Sequence, residues 1–206
     1  MLRPSILLHA YRIGLFPMAD PDDEDRIYWY APDPRALLPL DGLRVTRSLR
    51  QRIRRGTFRV SVDEAFERVI SACAAPAPGR EQTWISDEIR WAYTALHRAG
   101  YAHSVECWDA DGQLAGGLYG VRLGGAFFGE SMFSRQTDAS KVALVHLVER
   151  LRAGGFALLD VQMQTDHLAR MGAVEVSREA YEQRLDAALA RSGDWNALDA
   201  EAVVAA

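Results

Sequence analysis

The sequence predicts an α+β fold in which helices pack on a mixed, mostly antiparallel sheet. Apolar segments lie on both sides of two turn signals, Asp111-Gly112 and Gly124-Gly125, and this pattern is typical of successive β-hairpins. A helical pattern over residues 138–153 then separates these strands from a further apolar strand, which requires a crossover connection. Antiparallel strands, a crossover helix and another strand together describe a layered α+β domain.

Residues 1–38 are predicted to form a small N-terminal domain. Residues 5–15 fit a short amphipathic helix, and the acidic run at residues 21–25 is expected to be a solvated loop. The Pro-Asp-Pro sequence at residues 32–34 then forces an extended backbone, which would hold Arg35 in a fixed position.

Residues 39–192 are predicted to form the second, larger domain. Its further elements, in chain order, are a helix begun by Thr46 or Ser48, a strand at residues 58–62, a helix capped by Asp63, a helix capped by Ser86, the hairpin strands, the crossover helix, a strand at residues 156–164, a short helix, an edge strand at residues 173–176, and a helix from Arg178 or Glu179. The Ala-rich segment at residues 193–206 is predicted to be a frayed tail.

The composition is that of an ordinary globular protein. The chain has 206 residues, 49% of them hydrophobic, which is enough to bury a core. Its apolar runs fall short of the ~18 residues of a membrane span, and the N-terminus lacks a signal-peptide pattern. We therefore expect a cytoplasmic protein that does not use a membrane. Cys73 and Cys107 are far apart in the sequence and the five histidines lack metal-ligand spacing, so neither a metal nor a cofactor is expected.

Positive charge is concentrated in one segment of a chain whose formal net charge is −4. Residues 44–55 carry six arginines. A run of this kind is most often a solvated helix face. Its density in an acidic protein favours instead a surface that contacts a phosphate backbone. Lys141 is the one lysine among the 24 basic residues and is interpreted as an ordinary surface residue.

Two strands are predicted to form the walls of an active site. The second strand of the central hairpin carries Glu130 and Ser131 directly after an aromatic pair, so that polar groups follow an apolar wall. The strand at residues 156–164 supplies polar partners whose spacing points them to one face: Asp160, Gln162 and Gln164.

The order of elements resembles the acyl-CoA N-acyltransferase (GNAT-like) fold. Acetyltransferases of that fold hold the CoA pyrophosphate on a Gly-rich loop that leads directly into a helix. Here the glycines at residues 124–125 lead into a strand, so this anion cradle is missing. The missing cradle argues against an acetyl-CoA-dependent N-acetyltransferase, which is the first alternative function and which acetyl-CoA binding measured by calorimetry would support.

A set of motifs together resembles the leucyl/phenylalanyl-tRNA–protein transferase family. The motifs span most of residues 11–185 and are GLFPM, PDPR, Thr83-Trp84-Ile85, HSVECW, GGLYG, DVQ, and FFGESMFSR followed by ASK. The last of these is highly specific. Members of that family have a GNAT-like domain behind a small N-terminal domain. They transfer Leu or Phe from aminoacyl-tRNA to proteins with N-terminal Arg or Lys, marking them for degradation.

The resemblance implies a role for each predicted site residue. Asp160 and Gln162 would hold the attacking amine and the reacting carbonyl, and Asp160 would either take a proton or only orient these groups. Glu130 and Ser131 would bind the acceptor peptide, because a carboxylate suits an N-terminal Arg or Lys side chain. The aminoacyl side chain would lie in an apolar pocket formed by Leu118, Phe127, Leu144 and Leu151.

The resemblance also implies two contacts with tRNA. Trp84 would stack on the 3′-terminal adenosine, an interaction worth ~1–3 kcal/mol. Met18 would lie near the aminoacyl-adenosine, at a position where the family typically has Trp. This departure leaves the preferred aminoacyl group open among Leu, Phe and Met. The acceptor stem would meet Arg47, Arg50, Arg54 and Arg55. The expected partners are aminoacyl-tRNA and an acceptor protein, bound by a monomer; a non-catalytic tRNA-binding module is the second alternative.

Overall fold

The computed structural model describes residues 2–77 and 81–198. Its helices are α1 (Pro4–Arg12), α2 (Arg47–Arg54), α3 (Phe66–Ala74), α4 (Asp87–Arg98), α5 (Ala139–Ala153), α6 (Asp166–Met171) and α7 (Arg178–Leu189). Its strands are β1 (Phe16–Asp20), β2 (Arg26–Tyr30), β3 (Arg35–Leu37), β4 (Arg59–Val62), β5 (Ala102–Trp108), β6 (Leu114–Leu123), β7 (Ala126–Ser134), β8 (Leu158–Gln162) and β9 (Val174–Val176).

Most of these strands form one mixed sheet in the order β4-β5-β6-β7-β8-β3-β9. Neighbours are antiparallel except β7 and β8, which pair in parallel and are joined by the crossover helix α5. The predicted α+β class and the mostly antiparallel sheet are therefore confirmed. Strands β1 and β2 form a separate antiparallel ribbon.

Helices cover both faces of the large sheet. On one face, α1, α3, α4 and α7 enclose an aromatic core that contains Tyr11, Phe66 and Tyr181. On the other face, α5 is buried over most of its length, and α2 is anchored beside it by Leu49. No helix among the described residues is long and apolar enough to cross a membrane.

The sheet opens between β7 and β8. The two strands pair only as far as Phe128 and Asp160. Beyond that point β7 continues to Ser134 beside β6, while β8 ends at Gln162. The resulting gap lies between the two strands that the sequence predicts to be the walls of the site.

Strand β3 belongs to the large sheet. It pairs with β8 on one side and with β9 on the other. The predicted domain boundary at residue 38 lies directly after this strand and stays a prediction. A strand of three residues beside prolines carries too little pattern to be found from sequence.

The predicted helix starts are correct in two places and wrong in one. Thr46 and Ser86 cap α2 and α4 through their hydroxyl oxygens, as predicted. Asp63 does not cap α3, which begins after Ala65. Instead Asp63 has a left-handed φ of 61°, and its carboxylate accepts a hydrogen bond from the backbone N–H of Ser104 at 2.8 Å.

Helix α1 and the C-terminal segment also differ from the prediction. Helix α1 stops at Arg12, because Gly14 turns the chain with a φ of 77°. The acidic run at residues 21–25 is the turn between β1 and β2. The predicted frayed tail is wrong for its first residues: Trp195 is 3% exposed and its ring stacks on Phe127 at 5.4 Å. Residues 199–206 of that tail lie outside the described residues.

Candidate active site

A cavity of about 280 Å³ lies where β7 and β8 separate. Its apolar wall is formed by side chains from both sides of the gap, including Leu118, Met132, Leu144, Leu147, Leu159, Val161 and Leu168. Its polar groups are Tyr119, Glu130, Ser131, Gln162, Thr165 and His167, and its rim includes Phe16, Met18 and Trp84. A largely apolar cavity with a few polar groups suits one organic side chain next to a reacting centre.

A β-bulge turns two successive side chains towards this cavity. Ser131 lies opposite Tyr119 and Gly129 lies opposite Gly120, so Glu130 is an extra residue in β7. On a regular strand, neighbouring side chains point to opposite faces. The extra residue disrupts that alternation, so both Glu130 and Ser131 line the cavity.

Glu130 is the acidic group of the cavity. The hydroxyl of Tyr93 donates to its Oε2 at 2.9 Å, and that hydroxyl is itself hydrogen-bonded to the hydroxyl of Tyr11. Burial raises the pKa of the Glu130 carboxyl to about 7, although the two tyrosines counteract this shift. The carboxyl therefore changes charge near neutral pH. Within the described ranges, no group of His, Cys, Asp and Glu side chains is arranged to hold a metal ion.

Asp160 lies behind the cavity wall. It is 0% exposed, and Arg35 donates to both of its oxygens, from Nε at 3.0 Å and from Nη2 at 2.8 Å. The Tyr181 hydroxyl donates to Oδ2 at 2.8 Å, and the backbone N–H of Gln162 donates to Oδ1 at 2.9 Å. Each carboxylate oxygen thus accepts two hydrogen bonds, and Asp160 ties the backbone of Gln162 to the side chain of Arg35.

Gln162 is the polar residue of β8 that reaches the cavity. Its Nε2 lies 3.5 Å from Oε1 of Glu130. Its backbone has a φ of 58°, a conformation that is uncommon for a residue other than glycine and is frequent at functional sites. Gln164, predicted on the same face, lies beyond the end of β8 and is exposed.

The predicted aminoacyl pocket is only partly at the cavity surface. Leu118 and Leu144 line the cavity. Phe127 and Leu151 are 0% exposed and lie in the core beneath it, where Phe127 stacks on the ring of Trp195. Sequence reasoning missed Leu147, which lies on α5 three residues after Leu144 and hence on the same face of the helix.

The residues predicted to contact tRNA fall in two places. Met18 and Trp84 both line the cavity, and the backbone N–H of Ala19 donates to the carbonyl oxygen of Trp84 at 3.1 Å, which ties the two segments together. The basic residues lie apart from them, on the exposed face of α2 and directly after it: Arg47, Arg50, Arg54 and Arg55.

Sequence comparison decides the family. The pattern of leucyl/phenylalanyl-tRNA protein transferases matches residues 37–186, and the pattern of their N-terminal domain matches residues 1–33. The chain belongs to this family. Membership confirms the predicted enzyme class of the transferase, an aminoacyltransferase.

Relatives match the transferase over nearly its whole length. A leucyl/phenylalanyl-tRNA–protein transferase of Salinibacter ruber is 58% identical over 202 residues, covering 98% of this chain and 87% of the relative. That of Rhodospirillum rubrum is 54% identical over 205 residues, covering 100% and 95%. Among solved structures, L-PGS from Bacillus licheniformis aligns with 75% of this chain and 56% of its own, at 11% identity and a TM-score of 0.46. That likeness is too weak to carry an argument.

Proposed function

We propose that the transferase moves Leu or Phe, with Met a further candidate, from aminoacyl-tRNA to the N-terminal α-amino group of proteins that begin with Arg or Lys. One observation carries the proposal: a single cavity combines an apolar wall with the carboxyl group of Glu130. The amide of Gln162 is 3.5 Å from that carboxyl group. An apolar wall accepts Leu and Phe but would leave a charged aminoacyl group buried and unpaired. A carboxylate is the natural partner of a guanidinium or ammonium group.

The chemistry is the aminolysis of an activated ester. The α-amino nitrogen attacks the ester carbonyl carbon, the new amide C–N bond forms, and the ester C–O bond breaks. The amine gives up a proton, and the ribose oxygen leaves as a hydroxyl group. An N-terminal amine has a pKa of about 7.7–8.0, so an appreciable fraction is already neutral near pH 7. Placement of the two reactants can therefore supply most of the acceleration, in principle ~7–11 kcal/mol.

Each residue of the site has its own proposed role in this reaction. Gln162 would orient the attacking amine through its side-chain amide, while Asp160 and Arg35 hold the end of β8 that carries it. Both Asp160 oxygens already accept two hydrogen bonds, which favours orientation over proton removal by this carboxylate. Glu130 and Ser131 would hold the first acceptor residue. The leucines on β6 and α5 would hold the aminoacyl side chain.

We also propose that the larger domain has a GNAT-like fold. The support is the parallel pair β7 and β8, joined by the crossover helix α5 and separated beyond Phe128. The transferase would act as a monomer, since one chain supplies each group named above. Its setting would be the cytoplasm, where aminoacyl-tRNA is made, and its product would be a protein marked for degradation.

The test is transfer of labelled Phe by a Gln162→Met variant. Methionine keeps the side-chain length but removes both amide hydrogen-bonding groups. We expect transfer to fall by about 100-fold, a loss typical of one positioned group in the transition state, while tRNA binding is retained. The matched control is Gln164→Met, two residues further along in the exposed loop. Unchanged transfer by Gln162→Met would contradict the site.

A further inference from the structure

A histidine with two cationic neighbours lies at one side of the cavity. His167 lines the cavity, and its Nε2 atom is buried without a hydrogen-bond partner among the residues that the structure describes. Burial lowers the pKa of His167, and the positive charges of Lys141 and Arg170 lower it further. The imidazole is therefore neutral near pH 7, and its tautomer with a proton on Nε2 offers an N–H donor that no described group accepts.

This group is connected to the basic helix α2 through one carboxylate. Nζ of Lys141 lies 2.8 Å from Oδ1 of Asp138, and Nε of Arg52 lies 3.2 Å from Oδ2 of the same residue. Arg52 belongs to α2, whereas Asp138 immediately precedes α5. Asp138 neutralises only one of these cations. Positive charge therefore continues from the exposed arginines of α2 to the first turn of α5.

We propose that His167, Lys141 and Arg170 form a phosphate site that holds the phosphodiester on the 5′ side of the terminal adenosine of aminoacyl-tRNA. The proposal rests on the function proposed above, because an aminoacyl ester in the cavity leaves its nucleotide at the cavity's edge. In that substrate only one ribose separates the ester from this phosphate. Hydrogen bonds from cationic donors to phosphate oxygens are among the strong ones in proteins.

The phosphate site also gives Lys141 a specific role. Its side chain is 38% exposed, so a ligand can reach it, while Asp138 restrains the position of the ammonium group. Arg170 lies on α6, one turn beyond His167, and is exposed. The three donors thus come from two helices that border the cavity, α5 and α6, and the approach of a phosphate does not require a buried pair to break.

The test compares two minimal donors, the phenylalanyl esters of adenosine and of adenosine 5′-monophosphate, with one Arg peptide as acceptor. They differ only in the phosphate. We expect the kcat/KM of the unaltered transferase to be about 10-fold or more higher for the nucleotide ester, as charge-assisted hydrogen bonds would give. In Lys141→Gln and Arg170→Gln this ratio should fall towards one. Arg184→Gln, an exposed arginine of α7 outside the cavity, should keep the original ratio.

Other outcomes separate the two proposals. An unaltered protein that shows no preference, or Lys141→Gln and Arg170→Gln variants that keep it, would overturn the phosphate site and leave the proposed function standing. If the unaltered protein transfers Phe neither from these esters nor from charged tRNA, the proposed function is overturned. In that case the phosphate site is tested by calorimetry. The ratio of the affinities for adenosine 5′-monophosphate and for adenosine should be high in the unaltered protein and should fall towards one in Lys141→Gln and Arg170→Gln.

Discussion

Arg35 and Asp160 form a buried, two-point ion pair, with distances of 3.0 Å from Nε to Oδ1 and 2.8 Å from Nη2 to Oδ2. The guanidinium carbon of Arg35 also lies 5.0 Å from the ring centre of Phe16 and 4.5 Å from that of Tyr181. The remaining nitrogen, Nη1, donates to the carbonyl oxygen of Gly14 at 2.9 Å. One side chain therefore joins the N-terminal ribbon and α7 to the strand that carries Gln162.

Removing Arg35 should destabilise the fold. In an Arg35→Ala variant the Asp160 carboxylate would stay buried without its partner, and breaking a buried pair in this way costs ~3–5 kcal/mol. The free energy of unfolding in urea measures the loss. Arg98→Ala is the control, because Arg98 forms an exposed pair with Glu67 at 2.8 Å and exposed pairs contribute little. Equal losses in the two variants would contradict the central place of the buried pair.

Glu130 should make stability depend on pH. Its pKa is about 7 in the folded protein against an ordinary value of 4.5, so the folded state binds one more proton than the unfolded state between these values. The stabilisation is full below pH 4.5 and is lost as the pH rises through 7. From pH 5 to pH 8 the unfolding free energy should therefore fall further in the unaltered protein than in Glu130→Gln. Parallel pH profiles of the two proteins would contradict the raised pKa.

Strands β4 to β9 and the family motifs could be predicted from sequence, because they depend on local patterns. Glu130, Gln162, Leu118 and Leu144 all line the cavity, and the roles assigned to them stay predictions. The place of Asp160 behind that wall could not be predicted. A two-residue strand spacing shows which side chains share a face, but it does not show that Arg35, from another part of the chain, covers that face.

Local sequence patterns do not show long-range contacts, and this also explains the other differences between prediction and structure. Phe127 was predicted in the pocket because it is apolar and lies on a wall strand, yet Trp195 covers it. That contact joins residues that are far apart in the sequence, and an Ala-rich tail gives no sign of it. The bulge at Glu130 is set by the register of β6 against β7, which one strand alone does not reveal. Long-range contacts, rather than local propensity, account for each of these differences.

The hydroxyl of Tyr119 should affect stability and transfer in opposite directions. The residue lines the cavity, but its hydroxyl is buried without a partner in the part of the chain that the structure describes. Burial raises the pKa of this hydroxyl, and the charge of Glu130 raises it further. An unsatisfied buried hydroxyl costs ~1–3 kcal/mol, so Tyr119→Phe should unfold at the same or a higher temperature. Its KM for an Arg peptide should rise, because the acceptor loses a hydrogen-bonding group beside Glu130.

The control for Tyr119→Phe is Tyr101→Phe, at a position that is 38% exposed and outside the cavity. This change should alter neither quantity. A Tyr119→Phe protein that is less stable and has an unchanged KM would show that the hydroxyl is bonded within the fold and does not serve the acceptor.

The arginines of α2 should govern the salt dependence of tRNA binding. Replacing Arg50 and Arg54 together by Glu should weaken binding and reduce the slope of log K against log salt by ~2, because each lost phosphate contact removes about one released counterion. Filter binding at several salt concentrations measures both quantities. Arg184→Glu with Arg191→Glu is the matched control, since Arg184 is exposed on α7, which packs on the opposite face of the sheet, and Arg191 is exposed just after α7. If the two double variants bind tRNA with the same affinity and the same salt dependence, the arginines of α2 form only a solvated surface.

The most direct test of the proposed function is the transfer of labelled Leu and Phe from charged tRNA to four peptides that begin with Arg, Lys, Asp or Ala. Because Glu130 supplies the acidic group of the cavity, transfer should be confined to the Arg and Lys peptides. Transfer to the Asp peptide would contradict the acceptor assignment while leaving aminoacyl transfer in place. No transfer to any peptide by a protein that still binds tRNA would contradict the proposed function itself.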